Sequence, residues 1–412
     1  MMLPDPSLSL TIPSVQDHTV LDCRVYHPYS LSSNPKAPTW QRHAAILAHP
    51  YAPLGGCYDD PIVAEAAAQL LRSGYLVATF NFRGAAGSAG RTSWTAKPEG
   101  DDYMSVIGFI VYYIHYLDPF RPTMTILDGS LDPTATPAVR PQQPSLLIGG
   151  YSYGSIITMQ MPALEVVLER FASPAAGSAA AQIRLRAEHL ATQYNEVLRS
   201  AREARTEKRG RSYARTSLRV GGDEEPGSPR RSGESERRSF SMDAEEKVRK
   251  SLHELFHRHK ERGAELGHPA HSAHVHPATE GERLQAVSGL IVPRPSYLLI
   301  SPVQGIARHL AIMDMWPANS SRSQEINSGS GETKLVMNPT LAVYGDRDGF
   351  VAASKLRTWA RRLSTQEGSH FRAVEVRSAG HFWHEEGVLL QLQTAVEDFA
   401  KSVLDESWSA ET

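Results

Sequence analysis

Short apolar runs, each followed by glycines and then by residues at helical spacing, recur along most of the chain. Ala44–Ala48, Leu76–Phe80, Ser145–Ile148, Tyr297–Ile300, Thr340–Tyr344 and Ala373–Val376 are such runs, and buried parallel strands read as continuous apolar segments of this length. Val63–Ser73, Tyr103–Leu117, Ser155–Leu168, Ala353–Leu363 and Leu389–Leu404 lie between or after them with apolar residues at spacings of three and four. Alternation of this kind predicts an open α/β sheet with right-handed crossovers. Ahead of it, Leu8–Ile12 and Thr19–Tyr26 alternate apolar and polar positions around Gln16-Asp17-His18, which predicts two strands in a meander-like entry.

One interval breaks the rhythm. Residues Pro174–Ser288 are far too long for a simple connection, since loops beyond about 12–15 residues are already uncommon in compact domains. This insertion divides the α/β pattern into an N-terminal part, 1–168, and a C-terminal part, 289–405. Ile183, Ala187, Leu190, Tyr194, Val197 and Ala201 mark one amphipathic helix in the insertion, and Val248, Leu252, Leu255, Phe256 and His259 mark another. Both are candidate cap helices. Glu203–Met242 between them is rich in Arg, Ser, Glu and Gly with almost no large apolar residues, so it is expected to be disordered and to offer a surface for a protein partner. A second polar stretch, Asn319–Thr333, is expected to be mobile.

Composition adds limits. A hydrophobic content of 41% supports a packed core, while a mean hydropathy of −0.35 reflects the polar insertion. The net charge of −2 lacks the basic excess of a nucleic-acid binder. Two cysteines, Cys23 and Cys57, are too few for a disulfide framework, lack zinc-site spacing and are read as buried thiols. With neither a secretory leader nor an apolar run of about 18 residues, the expectation is a cytoplasmic protein without a membrane span.

The candidate chemistry starts at Gly150-Tyr151-Ser152-Tyr153-Gly154, between the run Leu146-Leu147-Ile148 and a helical segment. A serine on a tight strand-to-helix turn needs glycines two positions away on either side, because a Cβ there would strike the strand or the helix. A serine hydroxyl is a weak nucleophile until a base takes its proton and an acid orients that base. Asp348 and Asp346 both lie at the end of the run Thr340–Tyr344. Asp346 reads as a turn-former and Asp348 as the acid. His381, after Gly380 on the loop beyond Val374–Val376, reads as the base, while His384 reads as the start of the last helix. The chain order Ser152, Asp348, His381 separates this arrangement from other triad orders. The backbone N–H groups of Tyr153 and Tyr51 are the candidate oxyanion donors, since Pro50 has none to give. His49 reads as an anchor for that loop.

At these residues the sequence resembles the α/β-hydrolase superfamily, and more narrowly hydrolases related to dienelactone-hydrolase-like and serine-aminopeptidase-like enzymes. The similarity lies in His49–Gly56, Asn81-Phe82-Arg83-Gly84, Gly150–Gly154, Ile300-Ser301-Pro302 and Gly380-His381-Phe382-Trp383-His384. It spans about Ala44–Leu168 and Pro295–Leu404 and leaves out the insertion. Ala86 stands where many members carry the second glycine of Gly-x-Gly after the same strand, which alters loop shape, and Ser88 reads as a turn residue. The resemblance implies a mostly parallel sheet flanked by helices and a hydrolytic triad. The expected activity is hydrolysis of an ester, thioester or amide bond in a small acyl substrate.

Two other readings fail on residue grounds. Gly84, Gly87 and Gly90 lack the Gly-Lys-Ser/Thr of a phosphate loop, so no cofactor is expected. His253, His257, His259, His268, His271, His274 and His276 have no supporting cysteine or clear carboxylate, so no metal is expected. A catalytically silent hydrolase-fold scaffold that binds a partner through the insertion is the alternative function.

Overall fold

The computed structural model describes residues 3–93, 95–120, 143–216 (side chains through 206), 282–303 and 331–406. Among the described residues eight strands form one sheet: β1 (Leu8–Pro13), β2 (Val20–Tyr26), β3 (Ala44–Ala48), β4 (Leu76–Phe80), β5 (Ser145–Tyr151), β6 (Arg294–Ile300), β7 (Thr340–Gly345) and β8 (Phe371–Val376). Their order is β1-β2-β4-β3-β5-β6-β7-β8. β1 and β2 pair antiparallel, β2 joins β4 antiparallel, and every later pairing is parallel. β3, β4 and β5 are buried along their whole length, as strands covered by helices on both faces must be.

Among the described residues the α-helices are α1 (Pro61–Arg72), α2 (Lys97–Tyr116), α3 (Tyr153–Gln160), α4 (Leu164–Ala172), α5 (Ala179–Thr216), α6 (Ala353–Ser364) and α7 (Val388–Leu404). α1 and α7 bury Ile62, Val63, Leu70, Leu392, Val396 and Phe399 on one face of the sheet. α2 to α6 contribute to the larger core on the other face, where Phe109, Ile110, Phe171 and Leu356 are buried. α1 begins with Asp60, whose carboxylate accepts from the N–H groups of Ile62 and Val63, and with Pro61 at its first position.

Three sequence expectations change here. The single helix expected over Ser155–Leu168 is two, because Met161 precedes Pro162 and takes an extended conformation with ψ 143°. The helix expected to end at Ala201 runs on to Thr216, so the stretch expected to be disordered from Glu203 begins within regular structure. Its apolar face is also no cap. Ile183, Ala187, Leu190, Tyr194 and Leu198 are buried in the main core, against α2, α4 and β1. The chain returns beside the start of this excursion: Ala176 N–H donates to Glu282 O at 2.8 Å and Leu284 N–H to Pro174 O at 2.9 Å. The second expected helix, Val248–His259, the rest of the polar segment, the histidines from His253 to His276, and most of Asn319–Thr333 lie outside the described residues.

Cys23 is buried, and burial pushes its thiol well up from the usual range, whereas Cys57 is only partly buried. Both are free thiols. Among the described residues no helix is long and apolar enough to cross a membrane.

Candidate active site

β5 delivers the serine. Its last residues run into Ser152, which has φ 52° and ψ −111°, a conformation sparsely occupied by residues with a Cβ. The flanking glycines are required by contact. A Cβ on Gly150 would lie 2.3 Å from the carbonyl carbon of Gly154, and one on Gly154 would lie 2.4 Å from the carbonyl oxygen of Ala48. The strained turn is held by Ser152 N–H donating to Ile300 O at 2.9 Å and by Ser155 N–H donating to Ser152 O at 3.0 Å. Ser152 thus stands at the N-terminus of α3.

The other two groups come from neighbouring strand ends. His381 Nε2 lies 2.8 Å from Ser152 Oγ, and His381 Nδ1 lies 2.7 Å from Asp348 Oδ2. The second oxygen of Asp348 accepts from the N–H groups of Phe350 at 2.8 Å and Val351 at 3.1 Å. Both carboxylate oxygens are therefore committed, which fixes the plane that faces the imidazole. Asp346 points elsewhere, accepting from Ser378 N–H at 2.7 Å and tying the end of β7 to the loop after β8. Gly345 lets those two loops cross, because a Cβ there would lie 2.0 Å from Ala379 O.

The rings of Tyr51 and Tyr153 pack against each other, with centroids 5.1 Å apart. Tyr153 opens α3, and a residue at the first helical position has no intrahelical acceptor for its N–H. Tyr51 heads a compact loop whose carbonyl accepts from Leu54 and Gly56, both at 3.1 Å. A Cβ on Gly56 would lie 2.2 Å from Pro50 O, so the loop closes this tightly only with glycine. His49 anchors it. Nδ1 donates to Pro50 O at 2.6 Å and Nε2 accepts from Phe82 N–H at 2.9 Å, and burial lowers its pKa to about 4. Ser88 is a turn residue, donating to Asn81 O at 2.7 Å and accepting from Asp22 N–H at 2.8 Å.

The topology and the elbow together decide the architecture. The chain has the α/β-hydrolase fold. No protein-family model matches the sequence, and no curated protein matches it. Solved structures similar to the chain include a lidless α/β serine hydrolase from Xanthomonas campestris, at 15% identity and TM-score 0.43, covering 100% of this chain and 99% of that one. An α/β serine hydrolase homologue from Coxiella burnetii is similar at 12% identity and TM-score 0.43, covering 96% and 98%. A putative α/β hydrolase from Agrobacterium tumefaciens is similar at 13% identity and TM-score 0.44, covering 98% and 100%.

Three supporting residues lie in motifs that the sequence shows without assigning these residues a role. Tyr151 Oη donates to the backbone carbonyl of His381 at 2.9 Å, and Ser301 Oγ approaches the same carbonyl at 3.4 Å. Trp383 Nε1 in turn donates to Ser301 Oγ at 3.0 Å. They bind the base loop to the ends of β5 and β6. Lys334 braces the far end of α3, with Nζ donating to Thr158 O at 2.7 Å and to Met161 O. Burial lowers its pKa to about 7. A lysine on a polar stretch offers no pattern that would reveal this.

Proposed function

We propose that the protein is a serine hydrolase that works through an acyl-enzyme on an ester, thioester or amide bond of a small acyl substrate. The observation that carries this reading is the unbroken line of hydrogen bonds from Ser152 Oγ through both nitrogens of His381 to Asp348, with Ser152 held on a strained elbow. His381 Nε2 accepts the hydroxyl proton as Oγ attacks the acyl carbon, while Nδ1–H donates to Asp348 and keeps the ring in the tautomer that leaves Nε2 free. The carbonyl oxygen gains negative charge beside the N–H groups of Tyr51 and Tyr153 at the positive end of α3. The tetrahedral species collapses as Nε2 passes its proton to the leaving atom, and water then repeats the sequence to release the acid. No step needs a group beyond these side chains and water. Two free cysteines fit a cytoplasmic site of action.

The test is a serine-directed fluorophosphonate. Wild-type protein should be labelled and Ser152→Ala should not, with p-nitrophenyl ester hydrolysis falling by several orders of magnitude in the variant. Failure to label either would instead leave the silent scaffold.

A further inference from the structure

Two phenylalanines stand exposed on the loops that carry the acid and the base. Phe350 is 48% exposed two residues after Asp348, and Phe382 is 54% exposed next to His381. Their ring centroids lie 4.4 Å and 5.4 Å from that of His381. They meet edge to face at 5.8 Å, and His384 stacks on Phe382 at 6.0 Å. Phe350 is placed by its backbone, since its N–H donates to Asp348, and Phe382 is followed by Trp383, whose indole is fixed on Ser301. The loops hold both rings beside the imidazole, although two such faces in water forgo the gain from burial.

The chemistry tells which part of a substrate they meet. The proton taken from Ser152 must be handed by His381 Nε2 to the departing atom, so the leaving group comes within hydrogen-bond reach of that nitrogen. The acyl oxygen points the other way, toward Tyr51 and Tyr153. Groups flanking the imidazole therefore flank the alcohol portion of an ester. An edge-to-face pair of rings is a wall against which a flat apolar group stacks and a short alkyl chain gains little.

We infer that Phe350 and Phe382 form a leaving-group subsite that selects esters with an aromatic or flat apolar alcohol portion, an inference that rests on the serine-hydrolase reading. In the step concerned the bond from Ser152 Oγ to the acyl carbon forms and the bond from that carbon to the alcohol oxygen breaks. The proton from Oγ passes through Nε2 to the alcohol, and water later replaces the enzyme on the acyl group.

Benzyl acetate and ethyl acetate test this, because they share the acyl group and their alcohols are similarly acidic. The readout is the ratio of their kcat/KM values, divided by the ratio of their hydroxide-catalysed rates; a general loss of activity does not move it. The wild type should favour benzyl acetate by about tenfold or more, the scale on which apolar pocket contacts discriminate. The Phe350→Ala/Phe382→Ala variant should bring the ratio close to unity. Should that variant not fold, Phe350→Leu and Phe382→Leu singly should each lower the ratio. Fluorophosphonate labelling of Ser152 is measured on the same samples. If the wild type is labelled but shows no preference, or a folded variant keeps the full preference, the subsite is wrong and the hydrolase reading stands. If the wild type is neither labelled nor active on either ester, both fall.

Discussion

The two aspartates, two residues apart in the sequence, are separated by geometry: Asp348 meets the imidazole and Asp346 the backbone of Ser378. Asp348→Asn should therefore lower kcat by about 10³–10⁴-fold, through loss of the oriented tautomer, while Asp346→Asn should cost little activity; parallel ester assays on both variants decide it. Tyr151 acts through the loop and not on substrate. Tyr151→Phe removes one donor from the His381 carbonyl and leaves the ring in place. Misplaced catalytic groups lose rate steeply, so kcat should fall by about three- to tenfold with KM nearly unchanged, and the split between kcat and KM separates positioning from substrate contact.

At the scale of elements, the helix after the elbow ends early because Pro162 stops it, and α5 then adds a layer to the core. Ile183 is fully buried there. Ile183→Ala should lower unfolding free energy by about 2–5 kcal/mol through lost burial and a residual cavity, with KM for small esters unchanged, as urea denaturation and ester kinetics on the same variant would report. A helix that merely covered the site would give the reverse pattern, with stability kept and KM altered. The elbow depends on a different kind of fit. Gly150 and Gly154 are needed because two backbones pass where a methyl group would stand.

For the molecule as a whole, three histidines make acid destabilising, His43 and His49 buried and His27 partly so. Burial lowers His27 to about 3 and His43 and His49 to about 4. His43 Nδ1 accepts from Ser145 N–H at 3.0 Å, so it is needed neutral just as His49 is. An unfolded histidine titrates near about 6.5, so below that pH the unfolded chain binds protons that the folded chain refuses. Stability is present in full above about 6.5 and is lost as pH falls toward about 4, with each histidine contributing up to about 1.4 kcal/mol per pH unit. Urea unfolding from pH 8 to 5 should show a nearly flat upper range and a decline below about 6.5; a profile flat down to pH 5 would contradict it.

The sequence by itself determined the sheet, the elbow and the order of the candidate triad, because each of these is written locally. Strands buried on both faces are continuous apolar runs, and the elbow requires its own glycines. The acid and base loops follow their strands directly. Glycines at 84, 87 and 90 and the departure at Ala86 were likewise legible as a loop, in which Gly84 and Gly90 have φ of 76° and 81°. Tertiary structure alone decided which hydroxyl holds the His381 carbonyl, that Lys334 braces α3, and that the Ile183 face packs into the core instead of over the site. An amphipathic helix shows that it has an apolar face but not which surface that face will meet. A hydrogen bond between residues 230 positions apart, such as that of Tyr151 to His381, depends on how neighbouring strands place their ends, which no local pattern encodes.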